Sequence, residues 1–302
     1  MRADRRTLLL GAGALALAAC SREVKSAESD LDADVEGTTG TLDLDLTNLE
    51  ARHGGRLGLA VASAGVNAAW RGDERFVYCS TFKMYLAAAT LLRLQAGQER
   101  LNRAIPITVA DMISHAPTTE PAVGSSLTVE QLMKATVELS DNPAANIMIR
   151  EMGGLEALRA FYRGIGDDST CVDRLEPEMN RADGDKDTIT PIQSVQNISR
   201  LLVSPETPLN PASKALLMRW MTDTPTGQGR IKAGAPAGWA VAHKTGTGGY
   251  GPTNDIGLIQ PPSGAPVVIA VYFHATLAST PDQRDAVIAD ATRLALKALG
   301  HG

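Results

Sequence analysis

A serine and a lysine, Ser80 and Lys83, stand three residues apart at the start of an apolar, alanine-rich stretch, residues 84–94. The stretch predicts a buried helix with both side chains on its first turn. Since residues three apart share one helix face, the hydroxyl and the amine would lie side by side. The unpaired N–H groups and the dipole of a helix N-terminus favour a developing negative charge, as a serine nucleophile needs. A serine before an apolar run is also a common helix N-cap, so the pair alone leaves both interpretations open.

Three further polar groups follow along the chain. They are Ser140-Asp141-Asn142 between two predicted helices, Glu176 and Asn180 in a long polar loop, and Lys244-Thr245-Gly246 at the end of a predicted strand. Acyl transfer by a serine needs a nucleophile, a base, donors for the oxyanion and groups that hold the substrate. These side chains can supply those functions if the fold brings them together.

The four groups, in this order and in these local settings, resemble the class A serine β-lactamases, for which S-x-x-K, S-D-N and K-T-G motifs are typical. The resemblance covers about residues 44–300, the whole of the predicted folded part. It implies an enzyme that hydrolyses the β-lactam ring of penicillin- and cephalosporin-type antibiotics through a serine acyl-enzyme and so confers resistance. It also implies small-molecule substrates and no cofactor.

The resemblance implies a role for each catalytic residue. Ser80 would attack the lactam carbonyl, with the oxyanion between its own N–H and that of Thr247. Lys83 would act as a base if neutral and as a charged orienting group otherwise. Ser140 would pass a proton to the leaving nitrogen, and Glu176 would activate the water that hydrolyses the ester. Whether Lys83 or Glu176 takes the first proton from Ser80 stays open.

The same resemblance implies a set of substrate-binding residues: Asn142, Asn180, Lys244, Thr245, Gly246, Thr247 and Arg230. Asn142 would bind the substrate's side-chain amide, and Asn180 would hold the catalytic water. Lys244 and the two threonine hydroxyls would bind the substrate carboxylate, while the glycine would let the strand edge approach the ligand. Arg230 would replace an arginine that many members carry on the following strand, where this chain has Thr253.

Other positions have interpretations that concern structure more than chemistry. Asp141 would fix its loop through hydrogen bonds. An ion pair between Arg174 and Asp187 would close the long polar loop, which is about two residues shorter than is usual in the family; a solvated surface pair is the alternative. His115 would either stand at the mouth of the site or be an exposed loop residue. His243, where many members have an acid, would be a strand histidine that points away from Lys244.

The pattern of elements predicts an α+β fold of the three-layer α/β/α sandwich type. An antiparallel sheet would come from segments 44–75 and 220–302, with a mainly helical part, 76–219, between them. Thr128 and Gln131 predict a capping box at the start of one helix of that part. The other predicted elements include Asp43–His53, Arg56–Ser63, Val66–Trp70, Ala144–Met152, Pro191–Val203, Pro211–Thr222, Trp239–His243, Asp255–Gln260, Val267–Phe273 and Pro281–Leu299.

Charge and composition argue against several partners. A net charge of −5 and 4% aromatic residues give neither the basic surface nor the stacking platform of a nucleic-acid-binding protein. The histidines are isolated from one another, so no metal site is expected. A monomer is the default expectation.

The first 20 residues predict an export signal: Arg5-Arg6-Thr7, an apolar stretch over residues 8–19, and Cys20. The paired arginines resemble a twin-arginine signal, and the four residues that end at Cys20 resemble a bacterial lipobox, which implies lipidation of that cysteine. Cleavage without lipidation is the alternative. Residues 21–43 are acidic and polar and predict a disordered tether. The mature protein would be periplasmic or at the cell surface, bound to the membrane through its lipid alone.

The two remaining cysteines, Cys79 and Cys171, would enter an oxidising compartment where a bridge is possible, but free thiols are the preferred interpretation. Some members of the family bridge the position of Cys79 to one where this chain has Gly248, so that bridge is impossible here.

Two other functions share most of these motifs. A cell-wall transpeptidase or carboxypeptidase would keep its acyl-enzyme for an amine, and Glu176 with Asn180 argues against it. A non-catalytic lipoprotein that senses β-lactams should have lost a member of the motifs, and this chain has lost none.

Overall fold

The computed structural model describes residues 40–249, 251–276 and 278–301. The predicted export signal, Cys20 and nearly all of the predicted tether lie outside these residues. Within them, no helix combines the length and the apolar character needed to cross a membrane.

The described chain contains strands that form one six-stranded sheet and two short two-stranded sheets, and helices that pack around them. In order along the chain, these are β1 Gly40–Leu42, α1 Thr47–His53, β2 Arg56–Ser63, β3 Val66–Trp70, β4 Phe76–Val77, α2 Phe82–Gln95, β5 Ala104–Pro106, β6 Ser126–Thr128, α3 Val129–Glu138, α4 Asn142–Met152, α5 Leu155–Gly164, β7 Thr188–Ile189, α6 Pro191–Ile198, α7 Pro211–Thr222, α8 Ile231–Gly234, β8 Ala240–Thr247, β9 Pro252–Gln260, β10 Val267–His274 and α9 Pro281–Ala298. Short 3₁₀ turns lie at Cys79–Thr81 and Glu178–Asn180, and a π-helical turn, Ser199–Val203, follows α6.

A six-stranded sheet runs in the order β1-β3-β2-β10-β9-β8. Its pairs are antiparallel, except that β1 joins β3 in parallel. The N- and C-terminal segments therefore build one sheet, and the predicted α+β arrangement is confirmed.

Strand β10 shows why this sheet is covered on both faces. Its side chains alternate, because successive residues of a strand point to opposite faces. Ile269 and Val271 belong to the apolar layer that holds α1 and α9, whereas Ala270 and Tyr272 belong to the layer that holds α2, α3 and α4. A strand that is apolar on both sides needs helices on both sides, so the three layers follow from its sequence.

Several boundaries differ from the predicted ones. The prediction that residues 21–43 are a tether is wrong for Gly40–Leu42, which pair with Val66–Ala68 and so satisfy the free backbone edge of β3. Helix α1 begins at Thr47 instead of Asp43. Strand β8 runs on to Thr247, because β9 pairs with it over its whole length. Helix α5 was not assigned from the sequence.

The capping box of α3 is confirmed. The Thr128 hydroxyl accepts from the Gln131 N–H at 3.2 Å, and the Gln131 side chain accepts from the Thr128 N–H at 2.8 Å. This cap fixes the start of the helix that leads into the Ser140-Asp141-Asn142 turn.

Candidate active site

The nucleophile candidate Ser80 lies in the buried 3₁₀ turn that feeds α2. The side-chain amide of Asn254 on β9 donates to the carbonyls of Val77 and Tyr78, at 2.9 and 3.1 Å. The Thr81 hydroxyl donates to the same Tyr78 carbonyl at 2.8 Å. These contacts hold the buried turn that carries the Ser80 hydroxyl in place.

The side chain of Lys83 is fully buried and surrounded by acceptors. Its Nζ lies 3.0 Å from Glu176 Oε1, 2.6 Å from Asn142 Oδ1 and 2.8 Å from the Ser140 carbonyl. Burial lowers the pKa of the Lys83 ammonium, and the negative charge of Glu176 opposes that shift. The neutral amine that a base requires is thus easier to reach here than in water.

Glu176 is the centre of the hydrogen-bond network. Its Oε1 accepts the Ser80 hydroxyl at 3.1 Å and contacts the Lys83 ammonium, and its Oε2 accepts from Asn180 Nδ2 at 2.5 Å. Asn146 on α4 clamps its backbone, since the amide oxygen accepts the Glu176 N–H at 3.0 Å and the amide nitrogen donates to its carbonyl at 2.8 Å. The carboxylate is therefore locked between the nucleophile and the lysine.

The hydroxyl of Ser140 lies between two buried amines. Its Oγ is 3.4 Å from Lys83 Nζ and 3.2 Å from Lys244 Nζ. Burial lowers the pKa of Lys244 well below its ordinary value, with the charges of Lys83 and Arg230 acting in the same direction. This chain of polar hydrogens can carry a proton from an amine to a group bound above Ser140.

Asp141 holds this turn together, as predicted. Its carboxylate accepts from the N–H groups of Thr118, Thr119 and Ala144, at 2.9–3.0 Å. It is also the N-cap of α4. The neighbouring Asn142 lines the cavity, but its side-chain oxygen accepts from Lys83.

Strand β8 brings Lys244, Thr245, Gly246 and Thr247 to the same site. The structure gives a reason for a glycine at position 246 that the sequence did not show. A Cβ at this position would lie 2.7 Å from the Tyr78 carbonyl oxygen and 3.0 Å from Thr81. The glycine thus lets the strand approach the turn that carries Ser80.

Arg230 reaches the end of β8, where the resemblance placed it. Its Nη2 donates to the Thr247 hydroxyl at 2.9 Å, and its Nη1 donates to the carbonyls of Gly246 and Asn254 at 3.2 and 2.9 Å. Its Nε pairs with Asp285 of α9 at 2.7 Å. A guanidinium is therefore fixed beside the hydroxyls that were predicted to bind a carboxylate.

The predicted ion pair that closes the polar loop is confirmed. Arg174 Nε lies 2.5 Å from the buried Asp187 carboxylate. Asp187 also accepts from the N–H of Asp173 and of Arg174, and from the Tyr78 hydroxyl at 3.3 Å. Since Tyr78 precedes the nucleophile turn by one residue, the same carboxylate ties the loop of Glu176 to that turn.

Backbone strain is concentrated at this site. Of the six non-glycine residues that the described chain holds at positive φ, four belong to the site or its loop: Cys79, His115, Ser140 and Asp187. Each such residue costs on the order of 1–3 kcal/mol and persists where the surroundings fix it. The network described above supplies that constraint.

A cavity of about 290 Å³ opens above these groups. Its lining includes most of the predicted site residues, in full Ser80, His115, Ser140, Asn142, Asn180, Thr226, Gly227, Arg230, Thr245 and Thr247. It combines a hydroxyl nucleophile candidate, amides, and a cation with hydroxyls at one end. It is close to the lower end of the size range of small-molecule sites.

Comparison with known proteins agrees with this arrangement. The model of the beta-lactamase enzyme family matches residues 41–299. A solved ancestral class A β-lactamase (GNCA) is 47% identical with a TM-score of 0.80, over 84% of this chain and 98% of that one. The chain belongs to the class A β-lactamase family. β-Lactamase OXY-2 from Klebsiella oxytoca is 40% identical over 78% of this chain and 82% of its own length, and β-lactamase ROB-1 from Haemophilus influenzae is 37% identical over 88% of each.

The structure of this class A β-lactamase also places His115, the two cysteines and Gly248. His115 is exposed and lines the mouth of the cavity, with Nε2 2.9 Å from the Leu139 carbonyl. Cys79 and Cys171 are both free thiols, as preferred. A Cβ on Gly248 would lie 3.3 Å from Cys79 Sγ, but 2.6 Å from the Asn180 carbonyl, so the glycine makes room for the loop that carries Glu176.

Sequence reasoning missed three residues that organise this β-lactamase site: Asn146, Asn254 and Asp255. Each is a polar residue inside an apolar helix or strand, which is the signal that could have singled it out. Each of them contacts a backbone group far away in the sequence, which no local pattern records.

Proposed function

We propose that this class A β-lactamase hydrolyses the β-lactam ring of penicillin- or cephalosporin-type antibiotics through an acyl-enzyme on Ser80. The observation that carries the proposal is the position of one oxygen. Glu176 Oε1 lies 3.1 Å from Ser80 Oγ and 3.0 Å from Lys83 Nζ, with Asn180 on the other carboxylate oxygen. A carboxylate held in this way can serve the nucleophile and, later, a water molecule.

In the acylation step, Ser80 Oγ bonds to the lactam carbonyl carbon and the carbon–nitrogen bond of the ring breaks. The hydroxyl proton leaves to Glu176, which accepts the Ser80 hydroxyl, or to Lys83 in the neutral form that burial favours. The leaving nitrogen takes a proton from Ser140, and Ser140 regains one from the adjacent amines of Lys83 and Lys244. The starting charges are restored when the group that took the Ser80 proton passes it to the amine that gave a proton to Ser140.

In the deacylation step, a water molecule adds to the ester carbonyl and gives its proton to Glu176. The ester carbon–oxygen bond then breaks and Ser80 regains the proton, which releases the opened acid. Asn180 fixes the carboxylate that performs this step. The presence of this pair supports hydrolysis over transfer of the acyl group to an amine.

The cationic end of the cavity would bind the carboxylate common to these antibiotics. Thr245 and Thr247 offer hydroxyls, and Arg230 and Lys244 offer positive charge behind them. Charge-assisted hydrogen bonds of this kind are about twice as strong as neutral ones. Substrates that lack the carboxylate should therefore bind weakly.

The alkaline limb of kcat/KM should report on Lys244. Burial lowers the pKa of Lys244, so its ammonium loses the proton at a pH below the usual lysine pKa of about 10.4. The attraction for the substrate carboxylate is lost together with that proton. Arginine stays charged in proteins, so Lys244→Arg should move the alkaline fall of kcat/KM to higher pH, even if its plateau is lower. The measurement is kcat/KM from pH 6 to 10.5, and an unmoved alkaline limb would assign that limb to another group.

One assay tests the proposed reaction against its alternatives. The purified protein is mixed with a chromogenic cephalosporin in excess. Many turnovers per molecule support hydrolysis, and a single stoichiometric burst supports a transpeptidase or an acylated sensor. Absence of both turnover and a covalent adduct in the intact mass would exclude hydrolysis and transpeptidation through Ser80.

We further propose that the protein is exported by the twin-arginine-type signal and anchored through a lipid on Cys20, to lie in the periplasm or at the cell surface. The sequence around Cys20 supports this proposal. Cys20→Ser should move the protein from the membrane fraction to the soluble exported fraction, because lipidation requires the thiol. Detection is by cell fractionation and immunoblot, with Cys171→Ser as the matched cysteine control. Continued membrane retention of the Cys20→Ser protein would contradict lipidation.

A further inference from the structure

His243 and Asp255 form a buried pair between β8 and β9, apart from the residues that line the cavity. Their side chains are 1% and 0% exposed, and His243 Nδ1 lies 2.9 and 3.0 Å from the two carboxylate oxygens. The other ring nitrogen, Nε2, is buried and has no hydrogen-bond partner among the described residues. Since a buried polar atom without a partner destabilises the fold, a histidine at this position needs another explanation.

The carboxylate of Asp255 has a second contact that leads to the active site. It accepts the N–H of Ile231 at 3.1 Å. Ile231 is the first residue of α8 and directly follows Arg230. The carboxylate thus fixes the Arg230–Ile231 peptide bond, which is attached to the Cα atom that carries the Arg230 side chain.

The same region is fixed from the side of the imidazole. Gly227 lies against the His243 ring, because a Cβ there would be 3.0 Å from His243 Cε1 and 2.3 Å from the Thr245 methyl group. The N–H of Arg230 donates to the Gly227 carbonyl at 3.0 Å. The ring therefore supports the segment that carries Arg230 at its start, and Asp255 supports it at its end.

The Arg230 guanidinium meets the sheet one residue away from Asp255. Gly246 and Asn254, whose carbonyls it contacts, are partners across β8 and β9, and the next pair in the register is Thr245 with Asp255. A shift of the Arg230–Ile231 peptide would move the guanidinium off the Thr247 hydroxyl.

We propose that His243 and Asp255 are positioning residues for recognition of the substrate carboxylate. The imidazole orients the Asp255 carboxylate, which holds the Arg230–Ile231 peptide and so keeps the guanidinium on Thr247. This inference rests on the proposed function, because the ligand it concerns is the carboxylate of a β-lactam. It adds to that function a support for Arg230 that lies outside the cavity.

A second route from Asp255 to the site must be separated from this one. The negative charge of Asp255 also opposes the lowering of the Lys244 pKa. A substitution of Asp255 can therefore act through Arg230 or through Lys244. A double-mutant cycle with Arg230 distinguishes the two, since an effect transmitted by Arg230 disappears when Arg230 is replaced.

The test measures kcat and KM for benzylpenicillin. Asp255→Asn keeps the size of the side chain and removes its charge, and it should raise KM about tenfold, the change that loss of one charge-assisted contact produces, with kcat within about twofold. His243→Phe keeps a ring but has no hydrogen-bond donor, and it should also raise KM. His243→Gln restores an N–H donor and should recover part of the loss. In an Arg230→Gln background, Asp255→Asn should have no further effect.

Asp290→Asn, which breaks an exposed pair with Arg293 on α9, is the matched control and should leave KM unchanged. The inference is overturned if Asp255→Asn leaves KM unchanged, if its effect persists in the Arg230→Gln background, or if kcat falls in parallel with melting temperature. Failure of the proposed function would instead appear in the unsubstituted protein, as absence of turnover. If that protein acylates without turnover, the same comparisons are made on the second-order rate of adduct formation.

Discussion

Alanine in place of Ser80 should abolish turnover of a chromogenic cephalosporin, with a loss of about 10⁶-fold in kcat, as when a serine hydrolase loses its nucleophile. The Ser80 hydroxyl lines the cavity and donates to Glu176 Oε1, so its removal leaves the carboxylate and Lys83 without an oxygen to activate. Initial rates measure the loss, and the intact mass should show no adduct after incubation with substrate.

The matched control for this change is Ser263→Ala. Ser263 is exposed in the loop between β9 and β10, and its replacement should leave kcat and melting temperature unchanged. If the Ser80→Ala protein is folded and still carries a covalent adduct, another group is the nucleophile and the proposed reaction is wrong.

Glutamine in place of Glu176 should trap the acyl-enzyme. Glutamine cannot accept the proton of a water molecule, so deacylation should slow by about 10²–10⁴-fold, the usual contribution of a general base. A burst of one equivalent of product should be followed by very slow turnover. The intact mass should rise by the mass of one substrate molecule, and the modified peptide should contain Ser80.

The rate of that burst addresses which group takes the first proton. The charge of Glu176 opposes the lowering of the Lys83 pKa, so its removal makes the neutral amine more available. A burst as fast as in the unsubstituted protein would assign acylation to Lys83. A burst slowed as strongly as deacylation would assign both steps to Glu176.

Glu178→Gln provides the control within the same loop. Glu178 is exposed and two residues from the catalytic candidate, and its replacement should leave both steps unchanged. Rapid multiple turnover by the Glu176→Gln protein would remove the deacylation role from Glu176 and reopen the choice between a hydrolase and a transpeptidase.

Local sequence patterns determined much of this fold. The β2–β3 hairpin and helix α7 have the predicted bounds, and the capping box at Thr128 has the predicted contacts. These features depend on residues a few positions apart, so periodicity and cap chemistry record them directly. Three of the four polar groups lie at the end of such an element and the fourth lies in a long loop, and their resemblance to a known family assigned them to one site.

Tertiary structure decided the features that depend on distant residues. Gly40–Leu42 became a strand because the edge of β3 was free, and β8 extended through Lys244-Thr245-Gly246 because β9 pairs with it. The Tyr78 carbonyl also requires a glycine at position 246, and only the packed structure shows that contact.

The residues that hold the site in place also could not be predicted from the sequence. The amide of Asn254 holds the carbonyl of Tyr78, 176 residues away, and Asp255 holds the N–H of Ile231. Such contacts leave no periodic trace in the chain, because they form between elements that only the packed sheet brings together. The sequence alone determined which side chains can perform the chemistry, and the tertiary structure determined what holds them still.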